Sequence, residues 1–460
     1  MTEPEQSTVR KYQLVGPSDS GEVSDLLADL GEKESRHRLQ ALIAEWLRME
    51  NLVVLTGAGT SVSSGGKTMD NLENAVLKTV MSMEDLPAGA AAIIKARQNQ
   101  KEEKIGFEDW LSFLVNAHHL GAAPCSLFDG IRWNLTTKPS QDDLSSLIDR
   151  IGKAIFAECA LSLPETPSFA AGLAADIPPH LSFLAKLVAR DSNLGRAHLF
   201  TLNYDTLFEQ AMEMLGIQYF DGFTGRADAR FDPSIYGLDI YYPGEVSEGR
   251  VRRFDKFVHL YKLHGSIHWQ VRAGEMRARH PDLQPFKGYL SIDDPAEKAN
   301  RLVELAGSVP AIGILPTANK FVQTLAMPFA HLFRLFQIRL ASPQTFLLVL
   351  GYGFGDDHVT RIIETALMNP SLVMLVVEPD PYSETIERVR RYKDLGKRAF
   401  VLTPTEAAFS EAEFKYATFD DFARSIMPDV RWLDDFLRMR RFEKQIAPET
   451  GQKGNNEDRA

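Results

Sequence analysis

Cysteine is nearly absent from this chain of 460 residues: Cys125 and Cys159 stand alone, far apart and in no Cys-x-x-Cys pair. Neither a disulfide framework nor a cysteine zinc site assembles from two such residues, and such sparing use points to a reducing cytoplasm. A basic excess is lacking too, because 51 Lys and Arg face 62 Asp and Glu, a formal net charge of −11. That balance disfavours a broad nucleic-acid surface. No apolar run approaches the roughly 20 residues a membrane helix requires. The longest, such as Phe346 to Leu350 and Leu372 to Val377, have the length of buried strands. Met1 to Pro17 is polar and of mixed charge, without the apolar centre of a signal peptide, so no export is expected. Internal repeats and low-complexity blocks are missing as well. What is present is a 44 % hydrophobic content over a length that fills one large domain with insertions, or two or three ordinary ones.

After a polar lead of about 20 residues, Val23 to Glu50 carries apolar positions at helical spacing, Leu39, Leu42, Ile43, Trp46 and Leu47 among them. Lys67 to about Arg190 has few strand signals and many helical ones, including Ala88 to Ala96 and Phe107 to Leu120, and reads as a helical insertion. Strand character returns at His198 to Leu202, followed by a helix for which Thr206 and Glu209 form a capping box. Ile217 to Lys256 is rich in Gly, Pro, Asp and aromatics, with a turn at Tyr241 to Gly244, and predicts hairpins or long loops. Phe257 to Leu263 reads as a strand, and Ala273 to Ala306 as loops and a helix. Thr345 to Leu350 and Leu372 to Val377 read as buried strands flanking a helix at Asp357 to Met368. The tail predicts an aromatic-rich helix from Trp432 to Phe442 and a disordered end from Gly451 to Ala460. The alternation is that of an α/β protein with a Rossmann-like, doubly wound parallel sheet, whose ligands lie outside the carboxyl ends of the strands.

Four polar clusters end four of these strands. The first follows Leu52-Val-Val-Leu55 and runs Gly57-Ala58-Gly59-Thr60-Ser61. Its glycines let the backbone turn tightly and approach a ligand, and a helix starting near Ser61 would aim free N–H groups at a pyrophosphate. The others are Thr201-Leu-Asn203-Tyr-Asp205, Leu263-His264-Gly265-Ser266 and Gly351-Tyr352-Gly353. Each polar residue has a plainer role open to it. Asp205 can simply cap a helix, Asn203 can close a turn, and His264 can be a hydrogen-bonded core histidine. His268, four residues beyond His264, has no second ligand pair in sequence reach, so no metal is expected. His118, His119 and His358 read as helix or loop residues, and Trp110 and Phe113 as a packed helix face.

In order and spacing the four clusters resemble the sirtuin superfamily, and more narrowly the bacterial sirtuin-like domains of phage-defence proteins. The similarity spans roughly residues 45–66, 196–215, 257–268 and 345–380. It implies a division into a polar lead and helix at 1–50, a sirtuin-like Rossmann domain at 51–66 and 196–405, a helical insertion at 67–195 and a helical tail at 406–460. It further implies NAD as substrate, with the pyrophosphate on Gly57, Ala58, Gly59 and Ser61, and with Thr60 and Thr201 among the binding residues. Asn203 and Asp205 would stand beside the nicotinamide ribose, His264 would be the base, and Gly351, Tyr352 and Glu378 would meet the adenosine end. Nicotinamide is a cationic leaving group on a ribose, so cleavage asks chiefly for stabilisation of a developing oxocarbenium ion and a placed nucleophile. Asn203 suits positioning of a water and a ribose hydroxyl, and histidine titrates near 6.5 in ordinary surroundings, which suits a base.

Two departures separate the chain from sirtuin deacylases. The four-cysteine zinc module is missing, and Gly65-Gly-Lys-Thr-Met69 stands where those enzymes carry Pro-x-Phe-Arg. Water is then the expected acceptor, and the expected activity is NAD glycohydrolysis to nicotinamide plus ADP-ribose or cyclic ADP-ribose, used to exhaust NAD during infection. The resemblance also implies homo-oligomers and a hexameric HerA-type ATPase as partner, with no membrane. A non-catalytic NAD or ADP-ribose sensor is the alternative. A P-loop ATPase is a weaker one, because Gly66-Lys67-Thr68 has Ser61 where the first glycine of that loop must stand.

Overall fold

Apolar runs without polar alternation are satisfied where both faces of a sheet are covered, and the chain places them there. The computed structural model describes residues 10–17, 23–99, 106–121, 139–164, 177–191, 193–225, 228–247, 250–309, 327–392, 398–411 and 415–431. Strands β1 (Tyr12–Pro17) and β2 (Val23–Asp25) precede helix α1 (Glu32–Leu47) and strand β3 (Asn51–Thr56). Helices α2 (Met69–Met81), α3 (Ala88–Asn99), α4 (Phe107–Gly121), α5 (Gln141–Cys159) and α6 (Pro179–Leu187) intervene before β4 (Ala197–Thr201) and α7 (Leu207–Leu215). Strands β5 (Gln218–Phe220), β6 (Phe223–Thr224), β7 (Ala229–Phe231), β8 (Tyr241–Ser247) and β9 (Arg250–Arg253) follow. Next come β10 (Phe257–Lys262), the hairpin β11 (Trp269–Arg272) and β12 (Glu275–Ala278), and α8 (Pro295–Leu305). The order continues with α9 (Phe329–Ala341), β13 (Thr345–Leu350), α10 (Asp357–Ala366), β14 (Leu372–Val377), α11 (Glu384–Tyr392) and β15 (Arg398–Pro404), and short helical turns follow at Glu406–Phe409, Phe419–Asp421 and Phe422–Ile426.

Nine strands form one sheet in the order β2-β1-β15-β14-β13-β3-β4-β10-β5. From β15 to β5 all neighbours run parallel, and only β1 and β2 at one edge are antiparallel. The doubly wound α/β architecture is therefore present. β3, β10, β13 and β14 are buried almost throughout, as their largely apolar sequences require. One face of the sheet packs under α1, α6, α7 and the turns after Thr405, and the opposite face packs under α9, α10 and α11. A separate core joins α2, α3, α4 and α5 with α8, so these five helices form a layer with its own apolar interior.

Several local expectations give way to tertiary context. The polar lead supplies strands, because Tyr12, Leu14 and Val15 reach buried positions when β1 pairs with β15. The helix expected from Val23 starts only at Glu32. Tyr241 to Gly244 lies inside β8 rather than at a turn, and the span Ala273 to Ala306 contains β12 as well as α8. The capping box of Thr206 and Glu209 does not form: the Thr206 side chain accepts from Gln210, and Glu209 pairs with Lys262. The expected helix from Trp432 to Phe442, the end from Gly451 to Ala460, and Cys125 lie outside the described residues.

β3 is the switch point of the sheet, with β4 on one side and β13 on the other, so the loops after β3 and β13 leave in opposite senses and meet. They meet backbone to backbone. A Cβ at Gly57 would stand 2.6 Å from the Gly351 oxygen, one at Gly59 would stand 2.6 Å from Gly351 Cα, and one at Gly351 would stand 2.6 Å from the Thr60 nitrogen. Gly351 also has a φ of 61°, in the left-handed region. Substituting Gly351→Ala forces apart two main chains that have no flexible side chain to yield. A loss of about 1–3 kcal/mol in urea unfolding is expected, as for overpacking in a core, whereas Gly353→Ala, with nothing within 4 Å of its Cβ, should be close to neutral. Equal midpoints for the two variants would contradict this packing.

The core also holds histidines that folding keeps neutral. His180, without exposure and wedged against Phe208 and Phe419, has no hydrogen-bond partner on either ring nitrogen among the described residues. Burial pushes its pKa down to about 4, and burial does the same for His259. Both rings are neutral when folded and bind a proton when unfolded below the ordinary histidine value of about 6.5, so the unfolded state gains protons first. Stability is therefore full above about pH 6.5 and declines as pH falls toward 4. Thermal melting at pH 5 should lie below that at pH 7, and His180→Phe should shrink the difference.

Candidate active site

The strand ends carry their register past the sheet. Leu202 N–H donates to the Thr56 oxygen and Leu263 N–H to the Thr201 oxygen, each at 2.9 Å, so the turns after β3, β4 and β10 start level with one another. Gly265, at φ 86°, then bends the chain after His264. Above these turns lies a cavity of about 760 Å³, within the size range of small-molecule sites. Gly57, Ala58, Gly59, Ser61, Asn203, Asp205, His264, Gly351, Tyr352 and Glu378 all line it. Its far wall comes from the helical layer, at Leu72 of α2, Phe107 and Glu108 of α4, and Glu158 and Cys159 of α5.

Asn203, Asp205 and His264 are each 7 % exposed, so the cavity, not bulk solvent, is what they face. Asn203 Nδ2 donates to Thr60 Oγ1 at 3.0 Å and to Ser61 Oγ at 2.9 Å, and Ser61 Oγ donates onward to Asp205 Oδ2 at 2.7 Å. The other oxygen of Asp205 accepts from Leu207 N–H at 3.1 Å, at the start of α7. Cap and cavity residue are thus one side chain, with one oxygen for each. Behind it, Lys262 Nζ bonds the Asp205 carbonyl and pairs with Glu209 Oε1 at 2.9 Å, both side chains fully enclosed. On the other flank His264 Nε2 lies 3.0 Å from Asp356 Oδ2.

The glycine turn differs from the expected helix start. Two short 3-10 turns, Ala58–Thr60 and Val62–Ser64, follow β3, and the next α-helix, α2, begins only at Met69. The backbone N–H groups of Gly57, Gly59, Thr60 and Ser61 donate to the carbonyls of Leu350, Gly351, Gly57 and Ala58. These glycines serve first the contact between the two loops, and Gly65, left-handed at φ 90°, ends the second turn before a longer helix can grow. Thr60 and Thr201 lie behind the cavity wall. Thr60 accepts from Asn203, and Thr201 Oγ1 accepts from the Asn203 N–H at 3.1 Å, so both hold the amide in place.

At the opposite end Glu378 leaves β14 and accepts from Asp380 N–H and Ser383 Oγ, while burial raises its pKa. Tyr352 donates its hydroxyl to the Asp356 carbonyl at 2.9 Å, and burial raises its pKa as well. Burial likewise holds the Tyr204 phenol and the Cys159 thiol protonated. Lys67 belongs to no phosphate loop: its ammonium lies 2.8 Å from Glu158, whose other oxygen lies 2.7 Å from Lys298. His268 accepts or donates at Ser266 Oγ, 2.8 Å away, and stacks on His280. No cluster of three metal-ligating side chains occurs among the described residues. The side chains that sequence reasoning passed over are Asp356, Lys262 and Glu158. Only Asp356 had a local signal, an Asp-Asp pair directly before a helix.

The carboxylates of Glu108, Asp109, Glu158, Asp205, Asp356, Asp357 and Glu378 surround a cavity whose one lysine among the described residues, Lys67, is already paired. The resulting field favours a cationic group at its centre. No curated protein matches the chain. Residues 197–397 match the family model described as the SIR2-like domain, an interval that starts at the first residue of β4 and takes in Asn203, Asp205, His264, Gly351, Tyr352 and Glu378. The glycine turn at 57–61 precedes that interval, and the fold brings it to the same cavity. The portion of the chain that carries most of the candidate site is therefore similar to the SIR2-like domain, in keeping with a sirtuin-like protein.

Proposed function

We propose that the chain is an NAD glycohydrolase, releasing nicotinamide and ADP-ribose or its cyclic form, and that it serves antiphage defence by exhausting NAD. The observation that carries this reading is the convergence of Ser61, Asn203, Asp205 and His264 from three strand ends on one acidic cavity within a SIR2-like context. Gly57, Ala58, Gly59 and Ser61 are the candidates for the pyrophosphate, and Gly351, Tyr352 and Glu378 for the adenosine end. NAD supplies the chemistry of a pyridinium leaving group: the ribose C1′–N bond breaks and its electron pair neutralises the departing ring. Asp205 would balance positive charge developing on the ribose. Asn203 would hold a water, and His264 would take that water's proton as its oxygen bonds to C1′.

The resting arrangement supports restraint. Both amide hydrogens of Asn203 are spent on Thr60 and Ser61, and the Ser61 hydroxyl is spent on Asp205, so substrate must exchange into a closed set. In this reading the exchange is controlled by assembly, either as a homo-oligomer or with a hexameric HerA-type ATPase, and the protein works in the cytoplasm.

Nicotinamide release by purified protein, alone and with the candidate ATPase, tests the activity. Asn203→Ala and His264→Ala should each lower turnover by about 100-fold or more. Undiminished turnover in both variants would remove these residues from the chemistry. Saturable NAD binding without turnover in every assembly would favour the sensor alternative.

A further inference from the structure

Asp356, whose carboxylate lies beside His264, is fixed through both its side chain and its main chain. Asp356 Oδ1 accepts from the N–H groups of His358 and Val359, at 2.9 and 3.3 Å, and so caps α10. Its carbonyl accepts from the Tyr352 hydroxyl. The loop leading to it bends through Gly351 and through Phe354, which is buried in the left-handed region at φ 57°. The remaining oxygen, Oδ2, lies 3.0 Å from His264 Nε2, with side chains only 12 % and 6 % exposed. Ring and carboxylate therefore meet inside the cavity wall, where a hydrogen bond is not lost to solvent.

We propose that Asp356 is the positioning residue of His264. It fixes the ring plane and keeps the hydrogen of the neutral imidazole on Nε2, which makes Nδ1 the nitrogen that takes the proton. The argument is one of donor and acceptor type. An ionised carboxylate only accepts, so the nitrogen facing it must be the protonated one, and in a neutral ring the lone pair then sits on the other nitrogen. The inference rests on the glycohydrolase reading for its catalytic meaning, but not for the tautomer itself.

Asp356→Asn separates this role from the helix cap. Asparagine caps helices as well as aspartate does, and its single oxygen stays committed to the two backbone N–H groups. Its NH2 group must then face His264, which forces Nε2 to become the acceptor and moves the ring hydrogen to Nδ1. Nitrogen NMR of protein labelled in histidine, with the His264→Ala spectrum assigning the signal, reads the tautomer directly. The expected result is Nε2–H in the native chain and Nδ1–H in Asp356→Asn, with an unchanged melting temperature. Turnover should fall by about 100-fold or more in kcat with KM for NAD within about threefold, as when a base is left in the wrong tautomer. The same tautomer in both proteins, or a native kcat in the variant, would overturn the proposal. Should the native chain turn over no NAD in any assembly, the glycohydrolase reading fails by that result, and the two spectra still decide the role of Asp356.

Discussion

The contact on which the site depends is made of main chain alone. Gly57 and Gly59 on one side and Gly351 on the other bring the loops after β3 and β13 so close that none of the three positions has room for a Cβ. Because β3 is the switch point, these loops bound the crevice at the carboxyl ends of the strands. Their closeness sets the distance from the glycine turn to Tyr352 and Asp356, and through Asp356 to His264. A glycine pattern that resembles a phosphate cradle is thus, in this chain, first a device for joining two halves of a sheet.

On that base sits a polar network with little exposure. Thr201, Thr60, Asn203, Ser61 and Asp205 form a continuous series of hydrogen bonds, and Lys262 and Glu209 brace it from behind. A buried polar series is tolerable only when its members satisfy one another, and each gap would cost as much as a lost core contact. The arrangement is specific for the same reason, since one Asn203 Nδ2 serves Thr60 and Ser61 together. The helical layer adds the outer wall, tied to the loop after the glycine turn by Lys67, Glu158 and Lys298.

Much of this could be read in the residues beforehand, and the failures have physical causes. β3, β4, β10, β13 and β14 were legible because buried parallel strands advertise themselves as apolar runs, and the clusters at their ends were legible because polar residues there have few other uses. β1 escaped because it is only six residues long, and nothing in Tyr12 to Val15 names β15 as its neighbour. The helix expected at Ser61 failed because Gly65 and Gly66 stop the turn, a local signal outweighed by the analogy with phosphate loops. The pairing of His264 with Asp356, 92 positions apart in the numbering, is a consequence of sheet order that no spacing rule contains. The same holds for Lys262 with Glu209.

The pairing of β1 with β15 carries a consequence for how the chain is made. Tyr12 lies opposite Pro404, so β1 is synthesised about 390 residues before the strand that completes its hydrogen bonds on that side. Until then the edge of β1 that faces away from β2 is a template open to any extended segment nearby, and once joined it shields the flank of β15 from the same hazard. Late closure of that seam makes the margin of the sheet, rather than its centre, the place where nascent copies are most exposed to mispairing with each other.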